Sequence, residues 1–263
     1  MTVPLAILTV VRNDLAGLLA TRASLRAQTI QDFEWIIVDG ASTDGTAEWL
    51  RRHGGEASWW RSAPDRGLYD AMNIALEAAS ADAVLFLNAG DRLAAADTIE
   101  RLTGALASAT ETDLFYGDAL ERLADGRTVR KAARSHRLSA IGMFTHHQSM
   151  LYRRSAVRTI RFDLRYELAA DYDFTLRALG EARSVQRLSF PVCLFAPGGI
   201  SQRETRRGRD EQALIRRELL GYGVTATAAI KAAQWLAQSV RRCAPAIYAR
   251  WRFTSSETLF PSR

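Results

Sequence analysis

The sequence has few of the features that mark secreted, metal-stabilised or membrane-spanning chains. Its 263 residues include only two cysteines, Cys193 and Cys243, which are far apart and lack the close spacing of a metal site. They are most simply reduced thiols, which predicts a cytosolic protein. No uncharged apolar run approaches the roughly 18 residues that a membrane span requires. No basic region precedes the first apolar residues, so we expect a strand there and not a secretion signal.

Several nucleotide-binding and hydrolytic motifs are also missing. No G-x-G-x-x-G follows the first apolar run, which argues against a dinucleotide-dependent oxidoreductase. The segment Gly40–Gly45 has the glycine spacing of a phosphate-binding P-loop but lacks its lysine. No G-x-S-x-G appears, which argues against a hydrolase with a serine at a strand-to-helix turn. Any catalytic chemistry therefore rests on other polar residues.

Charge is divided unevenly along the chain. Residues 1–125 carry 10 Arg and 19 Asp or Glu, a net of −9, whereas residues 126–263 carry 25 Lys or Arg and 10 Asp or Glu, a net of +15. A basic half is typical of proteins that bind nucleic acids or anionic membranes. No nucleic-acid-binding module is visible, so we predict no nucleic-acid partner. The acidic half, with its isolated aspartates, favours metal or hydroxyl chemistry.

Short apolar runs alternate with helical patterns in the first 120 residues. The apolar runs are Leu5–Val11, Glu34–Val38, Ala83–Leu87 and Leu114–Tyr116. The helical patterns are Leu15–Gln28, Thr43–His53, Leu68–Ala79 and Asp97–Ala109. This alternation predicts an α/β fold, a Rossmann-like and mostly parallel central sheet flanked by helices. In such sheets ligands bind beyond the carboxyl ends of the strands.

Two aspartates stand directly at the ends of apolar strands. Asp39 follows "EWIIV", and Asp91 follows "VLFL" after a short loop that contains a glycine. Turn and cap positions favour such residues, yet a strand-end carboxylate is also placed where a ligand binds. Mn²⁺ and Mg²⁺ take oxygen ligands and are often held by one or two carboxylates together with substrate phosphates. We therefore predict that Asp91 is a metal ligand and that the substrate is a nucleotide diphosphate.

Six separated segments resemble family 2 glycosyltransferases in matching order. They are "LAILTVVRND", "FEWIIVDGASTDGT", "SAPDRGLYDAMNIAL", "VLFLNAGD", "HQSMLYRR" and "AADYDFTLRAL". The resemblance spans roughly residues 3–200, and bacterial enzymes that build colanic acid or other exopolysaccharides are the most similar subgroup. It implies a GT-A fold, in which residues 1–120 bind the nucleotide sugar and residues 121–202 bind the acceptor. Residues 203–263 would form a basic helical extension.

The resemblance also implies roles for particular residues. Asp171 matches the catalytic base, with Asp173 as the alternative on another face of the same helix, and Asp91 occupies the metal position. His147 and Gln148 match residues near the donor phosphates or the acceptor. The nucleotide-sugar site would include Thr9, Val11, Arg12, Asp39, Asp65, Arg66, Asn73 and Asn88. The chain departs from the family's paired acids, because Asn88 or Ala89 stands where the first acid is usual.

The implied reaction is inverting sugar transfer from a nucleotide-diphosphate donor to a hydroxyl of a glycan or lipid-linked acceptor. A divalent cation, Mn²⁺ or Mg²⁺, would assist it, and the product would be a bacterial surface polysaccharide. The departure at Asn88 keeps one alternative open, a relative that binds sugar nucleotides without catalysis. The high pI of about 9.7 keeps a second open, a basic nucleic-acid-binding protein.

The basic extension has the composition of an interfacial helix. Residues 203–252 carry 11 Lys or Arg and 4 Asp or Glu, a net of +7, with Trp235 and Trp251 among apolar residues. Such a segment suits the inner face of a bacterial inner membrane, where a lipid-linked acceptor would lie. Docking on the catalytic domain and an oligomer interface are the two alternatives.

Overall fold

The computed structural model describes residues 4–122, 126–196, 204–243 and 253–254. The α-helices of these ranges are α1 (Leu15–Arg26), α2 (Thr46–His53), α3 (Leu68–Ala78), α4 (Thr98–Ser108), α5 (Arg154–Val157), α6 (Ala170–Glu181), α7 (Thr205–Leu220) and α8 (Val224–Cys243). The strands are β1 (Leu5–Val11), β2 (Glu34–Asp39), β3 (Trp59–Ser62), β4 (Ala83–Phe86), β5 (Arg92–Leu93), β6 (Leu114–Arg122), β7 (Thr128–Lys131), β8 (Met150–Arg153), β9 (Val185–Phe195) and β10 (Phe253–Thr254).

The strands form one sheet in the order β10-β7-β6-β8-β4-β1-β2-β3, with β9 beside β6 and β5 beside β9. The four neighbours β4, β1, β2 and β3 are parallel, as the strand and helix alternation predicts. β8 is antiparallel to both β4 and β6 and so joins the two halves of the chain. The predicted α/β fold class is confirmed, and the antiparallel pairs all involve strands that follow residue 113.

Helices cover both faces of the sheet, and β1 shows how its side chains are shared between them. Ala6, Leu8 and Val10 pack in one apolar core with α3 and α6. Leu5 and Ile7 pack in a second core with α1, α2 and α4. Successive side chains of a strand point to opposite faces, so a sheet buried on both faces requires strands that are apolar throughout.

The strand predicted at Leu114–Tyr116 is too short, because β6 continues to Arg122. The polar residue Asp118 interrupts the apolar pattern, yet it is buried, since Arg130 and Arg187 donate hydrogen bonds to its carboxylate over 2.7 and 3.1 Å. Paired charges can be buried in this way, and a hydropathy pattern does not show the pairing. The predicted boundary between residues 120 and 121 therefore lies inside a strand.

The two long helices α7 and α8 belong to the predicted basic extension and form a helical hairpin. Gly221 ends α7 in the left-handed region at φ 66°, the usual glycine C-terminal cap. Phe253–Thr254 of the predicted helical extension form the short strand β10, and its other residues beyond α8, including Trp251, lie outside the described ranges. In the part of the chain that the structure describes, no helix combines the length and apolar character needed to cross a membrane.

Candidate functional site

A cavity of about 710 Å³ opens at the carboxyl ends of β1 and β4, the edge at which ligands are expected in a parallel sheet. Nine of the twelve predicted site residues line it. They are Val11, Arg12, Asp65, Arg66, Asn88, Asp91, His147, Gln148 and Asp171. These residues come from five separate segments of the chain, so the fold assembles most of the predicted site in one place.

The loop Asn88–Asp91 is held in a fixed shape between β4 and α1. Gly90 adopts φ 93°, a conformation that side chains disfavour, and the amide of Asp91 donates to the Asn88 carbonyl over 3.0 Å. Thr21 of α1 accepts from the Gly90 amide and donates to the Asp91 carbonyl, over 3.1 and 2.7 Å. The turn therefore directs the Asp91 side chain towards residues of the second half of the chain.

Asp91 is buried, with 3 % of its surface exposed. Its carboxylate accepts a hydrogen bond from the Ala196 amide over 2.8 Å and another from the side chain of Gln148. Burial raises the pKa of this carboxyl to about 7, although both hydrogen bonds act in the opposite direction. An ordinary turn cap would be exposed to water, so the position is costly unless a cation or a proton offsets the charge.

Two other polar atoms of the cavity walls are buried without a hydrogen-bond partner in the described residues. They are Asn88 Oδ1 and His147 Nε2. The His147 ring stacks on Phe86 at 4.9 Å, and burial lowers the pKa of the imidazole to about 3, so the ring is neutral. Orphaned buried atoms are uncommon in folded proteins, so these two atoms are candidates for hydrogen bonds to a bound ligand.

The residues around Asp91 fit a hard divalent cation only in combination with substrate. A carboxylate and the Asn88 amide oxygen are suitable ligands for Mg²⁺ or Mn²⁺. Among the described residues, however, no group of three or more His, Cys, Asp or Glu side chains could enclose a metal ion by itself. The remaining positions around such a cation would have to be filled by water and diphosphate oxygens.

Asp171 lies at the start of α6 and lines the same cavity. Its Oδ1 accepts from the Tyr172 amide over 2.8 Å and from the Tyr69 hydroxyl over 3.4 Å. Burial raises the pKa of the carboxyl to about 6, despite these hydrogen bonds. Asp173, the alternative, is ion-paired with Arg177 and does not line the cavity.

The loop before α3 forms another wall. Asp65 accepts from the Gly67 amide over 2.8 Å, and its Oδ2 lies so close to Gly40 that a Cβ there would be 2.7 Å away. The absence of a side chain at Gly40 therefore lets this loop approach the end of β2. Arg66 is exposed and pairs with Asp70 over 2.9 Å.

Three predicted residues, Thr9, Asp39 and Asn73, do not line the cavity. Thr9 lies two residues inside β1, on the face that packs against α1 and α2, and its hydroxyl accepts from the Trp35 indole over 3.0 Å. The position within the strand decides this, because Thr9 lies further from the strand end than Val10 and Val11, which both line the cavity. Thr9 is fully buried, so direct contact with a donor would require the structure to rearrange.

Asp39 and Asn73 have partners within the protein. The Asp39 carboxylate accepts from Ser42 and from the Ser62 hydroxyl, the latter over 2.6 Å, and is fully buried. Asn73 exchanges two hydrogen bonds with the backbone of Phe162, over 2.8 and 3.0 Å, which uses both ends of its amide. In the structure these two side chains fix loops around the cavity.

The cavity also has walls that the sequence did not indicate. Asp14 and Phe195 line it, as does the segment 164–168 that precedes α6. The residues of this segment that line the cavity are Leu164, Tyr166, Glu167 and Leu168. Its position just before the Asp171 segment is the signal that the sequence offers.

Comparison with known proteins gives a consistent result. A family model described as glycosyl transferase family 2 matches residues 6–165. A PGL/p-HBAD biosynthesis glycosyltransferase of Mycobacterium bovis is 35% identical over 179 residues, which are 66% of this chain and 69% of the relative. An uncharacterized glycosyltransferase of Mycobacterium tuberculosis is 33% identical over 204 residues, 76% of this chain and 78% of the relative.

Solved structures with the same fold are more distant in sequence. S. aureus TarS 1–349 in complex with UDP-GlcNAc superposes with a TM-score of 0.67 at 18% identity, over 93% of this chain and 75% of that one. The chain spans 43% of the longer TarS structure. The mannosyltransferase PcManGT from Pyrobaculum calidifontis, in complex with GDP-Man and Mn²⁺, gives a TM-score of 0.65 at 16% identity, covering 94% and 82%. The family model spans more than half of the chain, and the chain therefore belongs to glycosyl transferase family 2 and is a glycosyltransferase with the GT-A fold.

Proposed function

We propose that the enzyme transfers a sugar, with inversion, from a nucleotide-diphosphate donor to a hydroxyl of a glycan or lipid-linked acceptor. The observation that carries this proposal is that Asp91, which is buried, and Asp171, which is partly buried, both have raised pKa values and line one cavity at the ligand edge of the sheet. Buried carboxylates with raised pKa values are typical of catalytic and ligand-binding positions. In the proposed reaction Asp91 acts on the side of the leaving group and Asp171 on the side of the acceptor.

Asp171 serves as the general base. An alcohol is a poor nucleophile until a positioned base accepts its proton as the new bond forms. The acceptor oxygen bonds to the anomeric carbon, the bond from that carbon to the phosphate oxygen breaks, and the proton moves to the Asp171 carboxylate. Because Tyr69 donates to Oδ1, the other carboxylate oxygen is the one that we expect to face the acceptor.

Asp91, with Asn88, holds the diphosphate side of the donor. A divalent cation held there would supply positive charge that stabilises the departing nucleoside diphosphate. Arg12 and Arg66 line the same cavity and add fixed positive charge near the phosphates. The neutral His147 is positioned to contact the donor through its unpaired Nε2.

The walls around Asp171 support an acceptor with an apolar part. Leu164, Tyr166 and Leu168 lie in the segment before α6 and face the cavity together with Leu68 and Tyr69. Apolar and aromatic surfaces of this kind bind the faces of sugar rings or a lipid chain. Both acceptor classes in the proposal are consistent with such a wall, and the M. bovis relative is described as acting in PGL/p-HBAD biosynthesis.

The donor is identified by thermal unfolding in the presence of UDP-, GDP-, dTDP- and CMP-sugars, each with and without Mn²⁺. A ligand that binds only the native state stabilises it by about 2.7 kcal/mol at a concentration 100 times its Kd. We expect one nucleotide class to raise the Tm, and to raise it further with Mn²⁺. Equal Tm values with all four donors and with none would contradict the proposed function.

We further propose that the extension attaches the enzyme to the anionic inner face of a bacterial inner membrane. An uncharged stripe runs along the exposed side of α8, and we call it the α8 face. Its members are Val224, Ala228, Ala232, Trp235 and Leu236. Trp235 and Leu236 are 56% and 59% exposed, an unusual exposure for large apolar side chains. The net charge of +7 in residues 203–252 complements an anionic lipid surface.

Replacing both Trp235 and Leu236 with Glu is expected to weaken binding to vesicles that contain phosphatidylglycerol. Burying one large apolar side chain contributes about 1.5–3 kcal/mol, so the loss of two should lower the partition coefficient at least roughly tenfold. Vesicle co-sedimentation measures this change, with phosphatidylcholine vesicles as the uncharged comparison. As a control, replacing Ala107 and Ser108, which are exposed on α4, with Glu adds the same negative charge away from the α8 face. Equal sedimentation of all three proteins would contradict membrane attachment through the α8 face.

A further inference from the structure

A carboxylate of the C-terminal extension reaches the backbone that precedes Asp171. Glu211 of α7 accepts three main-chain hydrogen bonds, from the amides of Glu167, Leu168 and Ala169. The donor–acceptor distances are 3.2, 2.8 and 2.9 Å, in the same order. Hydrogen bonds to a charged acceptor are stronger than neutral ones, so this contact is a substantial one.

The contact places a negative charge beside the N-terminus of α6, which has no side-chain cap of its own. The N-cap position of α6 is Ala169, which has no side chain able to accept a hydrogen bond. Amides at the start of a helix have no partner within the helix, and a negative charge near them is favourable. Glu211 supplies that charge from a different helix, 42 residues further along the chain.

The three amides lie two to four residues before Asp171, within or next to the cavity wall. Glu167 and Leu168 line the cavity, and Asp171 is the second residue of α6. A base must be held within a fraction of an ångström of its working position, since a 1 Å displacement can lower the rate on the order of 100-fold. Fixing the preceding backbone therefore fixes the direction in which the Asp171 carboxylate points.

We propose that Glu211 is a positioning residue for sugar transfer, which orients the Asp171 loop and acts on Asp171 through its negative charge. This inference rests on the proposed role of Asp171 as the base. It makes α7 part of the catalytic apparatus, although α7 follows the region that the family model matches. A second contact supports this, because Tyr166 of the same loop donates to Glu218 of α7 over 2.9 Å.

The electrostatic part of the proposal depends on the groups that face Asp171. They are Tyr69 from α3, Tyr152 from β8 and Glu211 from α7, with Glu167 and Arg66 in the same cavity. Burial is the main cause of the raised pKa of Asp171, and the charge of Glu211 raises it further. Removing that charge should therefore let Asp171 lose its proton at lower pH.

The test is Glu211→Gln in the 263-residue chain, a substitution that removes the charge but keeps an accepting oxygen. Transfer is measured from about pH 5 to about pH 9, with the donor that the thermal screen identifies. We expect kcat to fall roughly tenfold or more, KM for the donor to change less than about twofold, and the acid limb of the pH profile to move to lower pH. Asp210→Asn removes the charge of the neighbouring residue, which pairs with Lys231 on α8, and should match the wild type.

An acid limb that stays in place in folded Glu211→Gln protein would overturn the proposal, as would an unchanged kcat. A purely structural contact would lower the Tm and the amount of active enzyme but leave the limb unmoved. If Glu211→Gln does not fold, Glu211→Asp retains the charge on a shorter side chain. Glu211→Asp should then lower kcat and leave the acid limb of the pH profile near its wild-type position. A wild-type kcat in Glu211→Asp would contradict the proposal. Failure of the proposed function is separate, because it would appear as an active Asp171→Asn enzyme.

Discussion

Replacing Asp171 with Asn is expected to lower kcat by about 10²–10⁴-fold, the usual contribution of a positioned general base. The Asn side chain has nearly the same shape but cannot accept the proton of the acceptor hydroxyl. Donor binding should be almost unchanged, because the proposed donor contacts lie around Asp91 and not at α6. Transfer assays and calorimetric donor titrations measure the two effects separately.

Asp173→Asn is the matched control for this substitution. Asp173 lies two residues further along α6, pairs with Arg177 and does not line the cavity, so its variant should keep substantial activity. If Asp171→Asn turned over at the wild-type rate, the base would be elsewhere. Equal losses in the two variants would point to damage of the helix and not to loss of a base.

The pH dependence of the wild-type enzyme provides a second check on Asp171. The pKa of its carboxyl is raised to about 6, and a base works only when it is ionised. We therefore expect kcat/KM to fall as the pH drops below about 6 and to be level above it, until another group titrates. An acid limb near the ordinary carboxyl pKa of 3.8 would contradict the buried position of the base.

Asp171→Asn should also make the protein more stable than the wild type at alkaline pH. Below pH 3.8 the Asp171 carboxyl is protonated in both states, and between 3.8 and about 6 only the unfolded chain loses the proton. The wild type therefore loses stability over this window, by no more than about 3 kcal/mol. Urea unfolding should show Asp171→Asn as the more stable protein at about pH 8 and as equal at about pH 4. This outcome would also exclude misfolding as the cause of inactivity.

Replacing Asp91 with Ala is expected to remove the metal-dependent part of donor binding. Asp91 is the only carboxylate of its loop, so no neighbour in Asn88–Asp91 can replace it. Loss of a residue that merely supports a metal ligand lowers metal affinity about 10–100-fold, and loss of the ligand itself should cost at least as much. Calorimetric titration of the donor nucleoside diphosphate, with and without Mn²⁺, measures the effect.

The wild type should bind more tightly with Mn²⁺, whereas Asp91→Ala should bind equally weakly in both conditions. Asp97→Ala, which removes an exposed carboxylate at the start of α4, should behave as the wild type. If Asp91→Ala kept the Mn²⁺-dependent gain, the metal would be bound elsewhere. If the wild type showed no gain, the loop with Asn88 in place of an acid would function without a metal.

Much of the site could be predicted from sequence because the relevant residues follow strand ends. Arg12 comes directly after β1 and Asp91 follows β4 after a short loop, and parallel strands deliver their carboxyl ends to one edge. Thr9 shows the limit of that reasoning. It lies two residues before the end of β1, and its side chain is fully buried in the packed core instead of facing the cavity. Asn73 shows a second limit, because its hydrogen-bond partner is the backbone of Phe162, 89 residues away, and a local sequence pattern does not show such a contact.

The sequence by itself determined the α/β class, the family and the choice of Asp91 and Asp171, since strand and helix periodicity and ordered motifs are local properties. Only the tertiary structure decided which polar side chains face the cavity, how far their pKa values move and what supports them. Glu211 is the clearest case. Its position among the helical residues of a basic extension indicates a solvated side chain, whereas the fold brings it onto three amides beside Asp171. Burial and long-range contacts depend on the arrangement of distant segments, which no local pattern encodes.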